Sequence, residues 1–364
     1  MAKKQVKKRG KAKPSISKSF AVFPSNDTAL FVGIDLGTCR ASVSASNGIR
    51  EVLPTYVGYP KDNISEEMLG TQPLFGDAAL KHRLSVDLVR PLAHGVIQTD
   101  GKGGNNKCLT AAKQLVRHLL EKARPKPGQP VYGVIGAPAR ASMASKRILV
   151  DAARGVLDAI MIVSEPFTVA YGLEILDQVL IIDIGAGTID LCRLHGTLPE
   201  NEDQITLDEA GDFIDDNLSK MIRKRFPNAQ FTTNMVRKLK ERYGFVSESA
   251  DRVTVNFPVK GRPQDFDITD ELRKACKSIV PGIFNSIAEL IATYDPEFQE
   301  TIRSNVILAG GGSQMIGLPK LIEEAMDELG GGRVTRVDEP LFAGSNGALK
   351  MARRMPKHFW QILA

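Results

Sequence analysis

Two short stretches of this chain carry one arrangement of residues: an apolar run, an aspartate, one more apolar residue, a glycine and a threonine. The first is GIDLGT at 33–38 and the second is DIGAGT at 183–188, with Ala186 and Gly187 inserted only in the second copy. Their aspartates, Asp35 and Asp183, lie 148 residues apart. A tight glycine turn can hold a phosphate on backbone N–H groups, because glycine lets the backbone come close and adopt positive φ. Gly37 with Thr38, and Gly185, Ala186 and Gly187 with Thr188, supply such turns. Each aspartate ends an apolar run, where strand tips in open α/β sheets meet ligand. Facing carboxylates on either side of a triphosphate would hold Mg²⁺, largely through its retained waters. Either turn alone reads as an ordinary hairpin, since Asp and Gly are common turn residues. The repeat, together with the small-residue run AGGGS at 309–313, points to a nucleotide.

Glu165 follows the apolar run AIMIV and precedes Pro166. A carboxylate there suits a helix N-terminus. Beside a bound triphosphate the same group would orient water for attack on the γ-phosphate. In VRKLKERYG, Val236, Leu239 and Tyr243 share one helical face, and Lys240 and Glu241 fall off it, as solvated charges do. His94, His118 and His195 stand in no triad or metal spacing and carry no role.

The elements that must position these residues alternate between strand and helix. LFVGI (30–34) and SVSAS (42–46) read as strands flanking the first turn. TAAKQLVRHLLEKA (110–123) has helical spacing, PKPGQP breaks it, and VYGVIGAPA (131–139) reads as a buried strand. A helix near 143–156, a strand at 159–163 and a helix opened by Ser164-Glu165-Pro166 follow. The second half repeats the order, with strand, turn and strand at 179–194, helices at 211–225 and 233–243, and NVILAGGGS (305–313) as the counterpart of VYGVIGAPA. CKSIVPGIFNSIAELIATY (276–294) has apolar residues at helical spacing across a Pro-Gly interruption, where a kink is expected. Two facing α/β lobes of one plan, with a ligand cleft between them, are the economical architecture. Trp360 reads as an anchor that docks the last helix.

At 364 residues there is room for about two domains. Four cysteines (Cys39, Cys108, Cys192, Cys276) form no C-x-x-C pair, which argues against a zinc site or disulfide framework and for a reducing, cytoplasmic setting. No uninterrupted apolar run approaches the ~18 residues of a membrane span, and no secretory signal is evident. The net charge of +6 is concentrated: residues 1–18 hold eight Lys/Arg and no acid, leaving 40 basic against 42 acidic residues elsewhere. Such a tail is expected to stay disordered, and either solubilises the chain or seeks an acidic partner, which could be anionic lipid, nucleic acid or an acidic protein surface. No specific nucleic acid is expected.

These residues resemble the actin, Hsp70 and sugar-kinase superfamily, in which ATP sits between two lobes of duplicated fold. Five segments match in order: GIDLGT (33–38) and DIGAGTID (183–190) as phosphate loops, SEPFTVAYG (164–172) and FAGSNGALK (342–350) as connecting helices, and ILAGGGS (307–313) as the adenosine segment. The length, with no peptide-binding domain following, resembles bacterial actins. VGYPKD (57–62), PLAHGVI (91–97) and GAPARAS (136–142) look like the bacterial actins of magnetosome chains. The resemblance implies an actin-like fold with a basic tail at 1–27, a first lobe at 28–173 with an insert near 56–90, a second lobe at 174–340 with an insert near 209–267, and C-terminal helices at 341–364 returning to the first lobe. It implies an ATPase that uses ATP/ADP and Mg²⁺, polymerises head to tail with itself, and meets magnetosome adaptor proteins. Asp35 and Asp183 become the magnesium-site residues, Glu165, Asp183 and Asp190 the hydrolytic group. Cys39, Gly211, Asp215, Lys240, Glu241, Gly310, Gly311, Gly312 and Ser313 join the turns as nucleotide contacts. Ile189 stands where a second hydroxyl residue is common, which implies slow hydrolysis. A small-molecule kinase, or a nucleotide-binding assembly protein without turnover, stay open as alternatives.

Overall fold

The computed structural model describes residues 29–98, 106–248 and 251–363. The basic tail and most of the Gly/Asn-rich 100–108 stretch lie outside the described residues.

The chain opens with strands β1 (Leu30–Leu36), β2 (Arg40–Ala45) and β3 (Arg50–Pro54). A small insert follows: β4 (Val57–Pro60), α1 (Asn63–Leu69), β5 (Leu74–Phe75), α2 (Asp77–Lys81) and β6 (Val86–Val89). Its three strands pair in the order β5-β4-β6. The hairpin β7 (Leu92–Ala93) and β8 (Val96–Ile97) leads to α3 (Lys107–Lys122), β9 (Val131–Ala137), α4 (Met143–Ala153), β10 (Ala159–Ser164) and α5 (Glu165–Leu173). The second half gives β11 (Asp177–Ile184), β12 (Ile189–His195), β13 (Gln204–Leu207), α6 (Gly211–Arg225), α7 (Thr233–Tyr243) and the hairpin β14 (Thr254–Val259) with β15 (Arg262–Asp267). After it come α8 (Thr269–Lys277), α9 (Val280–Ala292), α10 (Gln299–Arg303), β16 (Val306–Ala309), α11 (Leu318–Met326), β17 (Val334–Arg336), α12 (Ala343–Arg354) and α13 (Lys357–Leu363).

The internal repeat is written in the sheets. One has the order β10-β9-β1-β2-β3, the other β17-β16-β11-β12-β13. In each, the strand ending in the turn aspartate pairs antiparallel with the next strand and parallel with a later one. Asp35 lies opposite Gly136 on its parallel neighbour, and Asp183 opposite Ala309. The neighbour therefore presents no bulk beside either carboxylate.

Strand alternation sorts the cores. Leu180, Ile182 and Ile184 enter the second lobe's core with Ile214, Leu218, Ile283 and Ile287, whereas Val179 and Ile181 join Phe31, Phe167, Val169, Ala348 and Trp360 in a layer shared by both lobes. That layer contains the joint of the molecule, where α5 crosses α12. A Cβ added to Gly172 would sit 3.0 Å from the Gly347 Cα, and one at Gly347 would overlap the Thr168 carbonyl oxygen. Only residues without side chains let these two backbones approach so closely. Trp360 anchors α13 as expected: it is 2% exposed, stacks on Tyr132 at 5.3 Å between ring centroids and donates Nε1–H to the Ala352 carbonyl.

The expected interruption in 276–294 is present: α8 and α9 part at Ser278 and Ile279, whose backbone stays right-handed helical, and Pro281 sits in the first turn of α9, where its missing N–H costs nothing. Taken together, Thr269–Ala292 is a helical stretch long and apolar enough to cross a membrane by length and composition. Leu272, Ala275, Ile283, Ile287 and Leu290 pack in the second lobe's core, so its apolar face already has a partner.

Candidate functional site

Between the two sheets lies a cavity of about 300 Å³. Both glycine turns face it. Asp35, Gly37, Thr38 and Cys39 line it from the first lobe, and Asp183, Gly185, Ala186, Gly187 and Thr188 from the second. Glu165 at the start of α5, Gly211 at the start of α6, Lys240 and Glu241 of α7, and Gly310, Gly311 and Gly312 after β16 complete the expected wall.

Two glycines are demanded by geometry. Gly310 has φ +72°, and a Cβ there would run into the Asp183 carboxylate and the Ile184 carbonyl. A Cβ on Gly187 would strike the Thr38 hydroxyl and come within 2.9 Å of the His94 amide nitrogen, so the two turns can face one another only if this residue is bare. The second turn is braced from behind, since the Gly211 amide donates to the Gly185 carbonyl (3.1 Å) and the Asp212 amide to the Ala186 carbonyl (2.7 Å).

Three expected residues stand behind the wall. Asp190, 1% exposed, accepts from the Ala139 amide (2.7 Å) and the Thr206 hydroxyl (2.6 Å), which ties the first lobe's loop after β9 to the second lobe. Asp215 pairs with Lys240 (2.8 Å) and Arg237 (3.1 Å), the partnering a carboxylate needs at 1% exposure. Ser313 donates to the Gly310 carbonyl at 2.7 Å and so holds the turn rather than the cavity. Ile189 also points away, into the second lobe's core, so it takes no polar position at the phosphate end.

Burial governs the electrostatics. Desolvation pushes Asp35 from its ordinary 3.8 to about 6. Asp183 is raised well above its usual range, first by burial and then by the charges of Asp35 and Asp190. Glu165 is raised by burial and then by Asp35, Asp190 and Asp183. Among the described residues, no Lys or Arg charge figures among the causes of these three shifts. A carboxylate cluster at this depth, uncompensated by protein cations, fits the oxygen chemistry of Mg²⁺. Among the described residues no three His, Cys, Asp or Glu side chains converge closely enough to ligate an ion directly, so a cation there would sit on bridging waters.

Several wall residues had no local signal in the sequence. The Gly95 amide donates to the Thr38 hydroxyl at 2.8 Å, from the hairpin loop that follows Arg90. Arg237 lines the floor, its charge held by Asp212 and Asp215 even though burial opposes it. Met315, Pro340 and Leu341 add apolar wall. Arg40 reaches across to Glu241 at 2.7 Å, a pair exposed enough to contribute little energy.

The family model described as MreB/Mbl protein matches residues 29–358. The chain belongs to the MreB/Mbl family. Within it, the chain is 39% identical over 334 residues to the actin-like protein MamK of Paramagnetospirillum magneticum, covering 92% of this chain and 95% of that relative. Among solved structures it is similar to the MamK double helical filament, with a TM-score of 0.87 at 38% identity, covering 90% of this chain and all of that one. It is also similar to a non-polymerising MamK mutant bound to AMPPNP, with a TM-score of 0.68, covering 89% of this chain and 99% of that one. The fold of this MreB/Mbl family member is accordingly actin-like, and the cavity lies in the cleft between its two lobes.

Proposed function

We propose that this chain is an ATP-dependent cytoskeletal filament protein that binds Mg-ATP between its lobes, hydrolyses it, and assembles head to tail with copies of itself. The observation that carries the reading is the pair of aspartate-glycine turns facing one another across the cleft, with the buried Glu165 carboxylate close enough to feel the charges of both aspartates. Relatives solved as a filament and with an ATP analogue support it. Residues 28–173 and 174–340 are the two lobes on this reading, and 341–364 close the chain back onto the first.

The amides of Gly37–Thr38 and Gly185–Thr188 would take the phosphates, while Lys240, Glu241 and the Gly310–Gly312 turn would receive the adenosine. Mg²⁺ bound with the nucleotide would neutralise phosphate charge and lower the cost of ionising Asp35, Asp183 and Glu165. Ionised Glu165 then accepts a hydrogen bond from the attacking water. The water oxygen bonds to the γ-phosphorus, the β–γ bridge breaks, and ADP leaves with the bonding electrons while the water's proton passes to Glu165 or to phosphate. Closure of the lobes on ATP would favour longitudinal contacts, and loss of the γ-phosphate would weaken them. By resemblance these filaments would lie in the cytoplasm alongside magnetosome membranes and position them, with adaptor proteins, or the basic tail on an acidic partner or anionic membrane, making the connection.

The test is pelleting of the purified chain with Mg-ATP, with a non-hydrolysable analogue and without nucleotide, with phosphate release followed in the same samples. ATP-dependent pelleting followed by phosphate release is expected; a chain that stays soluble in every condition refutes the filament reading. Glu165→Ala is expected to slow phosphate release by about 10²–10⁴-fold, the usual contribution of a positioned base, while ATP-dependent pelleting persists. Parental turnover in that variant would remove Glu165 from the mechanism.

A further inference from the structure

One acidic residue ties both glycine turns to both necks of the small insert. Asp212 is the second residue of α6, and its amide donates to the Ala186 carbonyl of the second turn (2.7 Å). Its carboxylate accepts from Arg90 (2.7 Å) and from Arg237 (3.1 Å). Arg90 also donates its Nε–H to the Thr38 carbonyl of the first turn at 3.0 Å. Arg237 in turn donates to the Tyr56 hydroxyl at 2.8 Å and pairs with Asp215. Tyr56 immediately precedes β4 and Arg90 immediately follows β6, so they are the residues through which the insert leaves and rejoins the first lobe. The four side chains come from positions up to 181 residues apart.

The geometry points to Asp212 and Arg237 as positioning residues that couple the occupant of the cleft to the orientation of the insert at 57–89, an inference that rests on the nucleotide reading above. Arg90 bridges the first turn's Thr38 carbonyl and the second lobe's Asp212, a pair of bonds that holds only at one separation of the two turns. Opening the cleft must break one of them, and the neck at β6 is then freed. The Tyr56–Arg237 bond does the same for the neck at β4, from an arginine that lines the cavity floor. Because Arg237 is 8% exposed and Asp215 1%, water replaces their pairing poorly, whereas the Arg90 and Asp212 side chains, 24% and 31% exposed, let the bond at each neck open by itself. Ligand in the cleft shifts that equilibrium only through its preference for the turn separation the node requires.

The experiment is amide hydrogen exchange on the full chain, kept dilute, with and without Mg-AMPPNP, while binding of the analogue is measured separately by titration. In the parent, saturation is expected to slow exchange of the 57–59 and 86–89 amides about tenfold, as a shift in local opening reads out. Tyr56→Phe keeps the ring and removes only the hydroxyl. It is expected to bind the analogue within about threefold of the parent and to lose the protection at 57–59 while keeping it at 86–89. Asp212→Asn is expected to lose both. A merely structural role would change exchange equally with and without analogue, and would not separate the two necks. Full protection in both variants, or a parent that binds the analogue without slowing either neck, overturns this inference and leaves the nucleotide reading standing. A parent that binds no analogue overturns both.

Discussion

Replacing Asp35 by asparagine should stabilise the metal-free, nucleotide-free protein, and by an amount that depends on pH. The unfolded chain ionises this carboxyl near 3.8, whereas burial raises it to about 6 in the fold. The raised value means that the folded chain holds a proton the unfolded chain has released, so stability falls as pH climbs through that window. At about 1.4 kcal/mol for each pH unit that separates the folded from the unfolded value, ionised Asp35 costs about 3 kcal/mol near pH 7.5 and about half of that near pH 5. Asparagine keeps the shape and carries no charge to bury. The variant is therefore expected to exceed the parent by about 3 kcal/mol in urea unfolding near pH 7.5 with chelator present, and by about half as much near pH 5.

The readout is the difference between the two proteins, in which groups remote from Asp35 cancel, while Asp183 and Glu165, which its charge raises, are relieved by the substitution and add to the gain. His118, held below its usual value by burial and the nearby Lys122 charge, contributes the opposite slope in the same window and cancels in the subtraction. Asp203 and Glu248, whose carboxyls lie below their usual range, act only at more acidic pH. Mg-ATP should reverse the order, stabilising the parent more than the variant, since the carboxylate that repels its neighbours in the bare cleft is the one that would hold the ion's waters. A variant less stable than the parent near pH 7.5 in chelator, or a difference that does not shrink toward pH 5, refutes the reasoning.

Gly347→Ala places a methyl group on the Thr168 carbonyl oxygen at the crossing of α5 and α12, and is expected to cost at least about 1–3 kcal/mol, the usual penalty of overpacking. Thermal unfolding measures it, and an unchanged midpoint would show that the helices separate easily. Asp190→Ala leaves the buried Ala139 amide and Thr206 hydroxyl without their acceptor and is expected to lose about 2–5 kcal/mol, while Asp190→Asn keeps an acceptor oxygen and stays within about 1 kcal/mol of the parent. Equal losses in the two variants would mean that the charge of Asp190, rather than its hydrogen bonds, is what the fold uses.

The contrast between these positions explains what a single chain of letters discloses. The turns at 35–38 and 183–188 were legible because a strand tip, a glycine and a repeat are all local signals, and the sheet register then places Asp35 and Asp183 at equivalent points beside Gly136 and Ala309. The helices at 211–225 and 233–243 were legible from spacing for the same reason. Asp215 and Asp190 were expected at the ligand because the family resemblance implied it. Both sit one layer behind, as buried acids must when cations or N–H donors claim them first.

What no local pattern could show is the set of bonds that cross the cleft. Arg90 finds Asp212 across 122 residues, and Tyr56 finds Arg237 across 181. Each of these residues reads as an ordinary surface charge or a half-buried ring until the duplicated lobes bring the pairs together. The glycine contacts of α5 and α12 are equally silent, because a small residue in a helix interior signals only a lowered propensity until its partner is known. The two kinds of information divide the work of the molecule. The repeated turns, which local chemistry specifies, are where a phosphate would be held. On the reading proposed above, the closure that such holding needs would be carried by pairs that only the folded chain defines, so variants at Tyr56, Asp212 and Gly347 should alter the response to a nucleotide before they alter its binding groups.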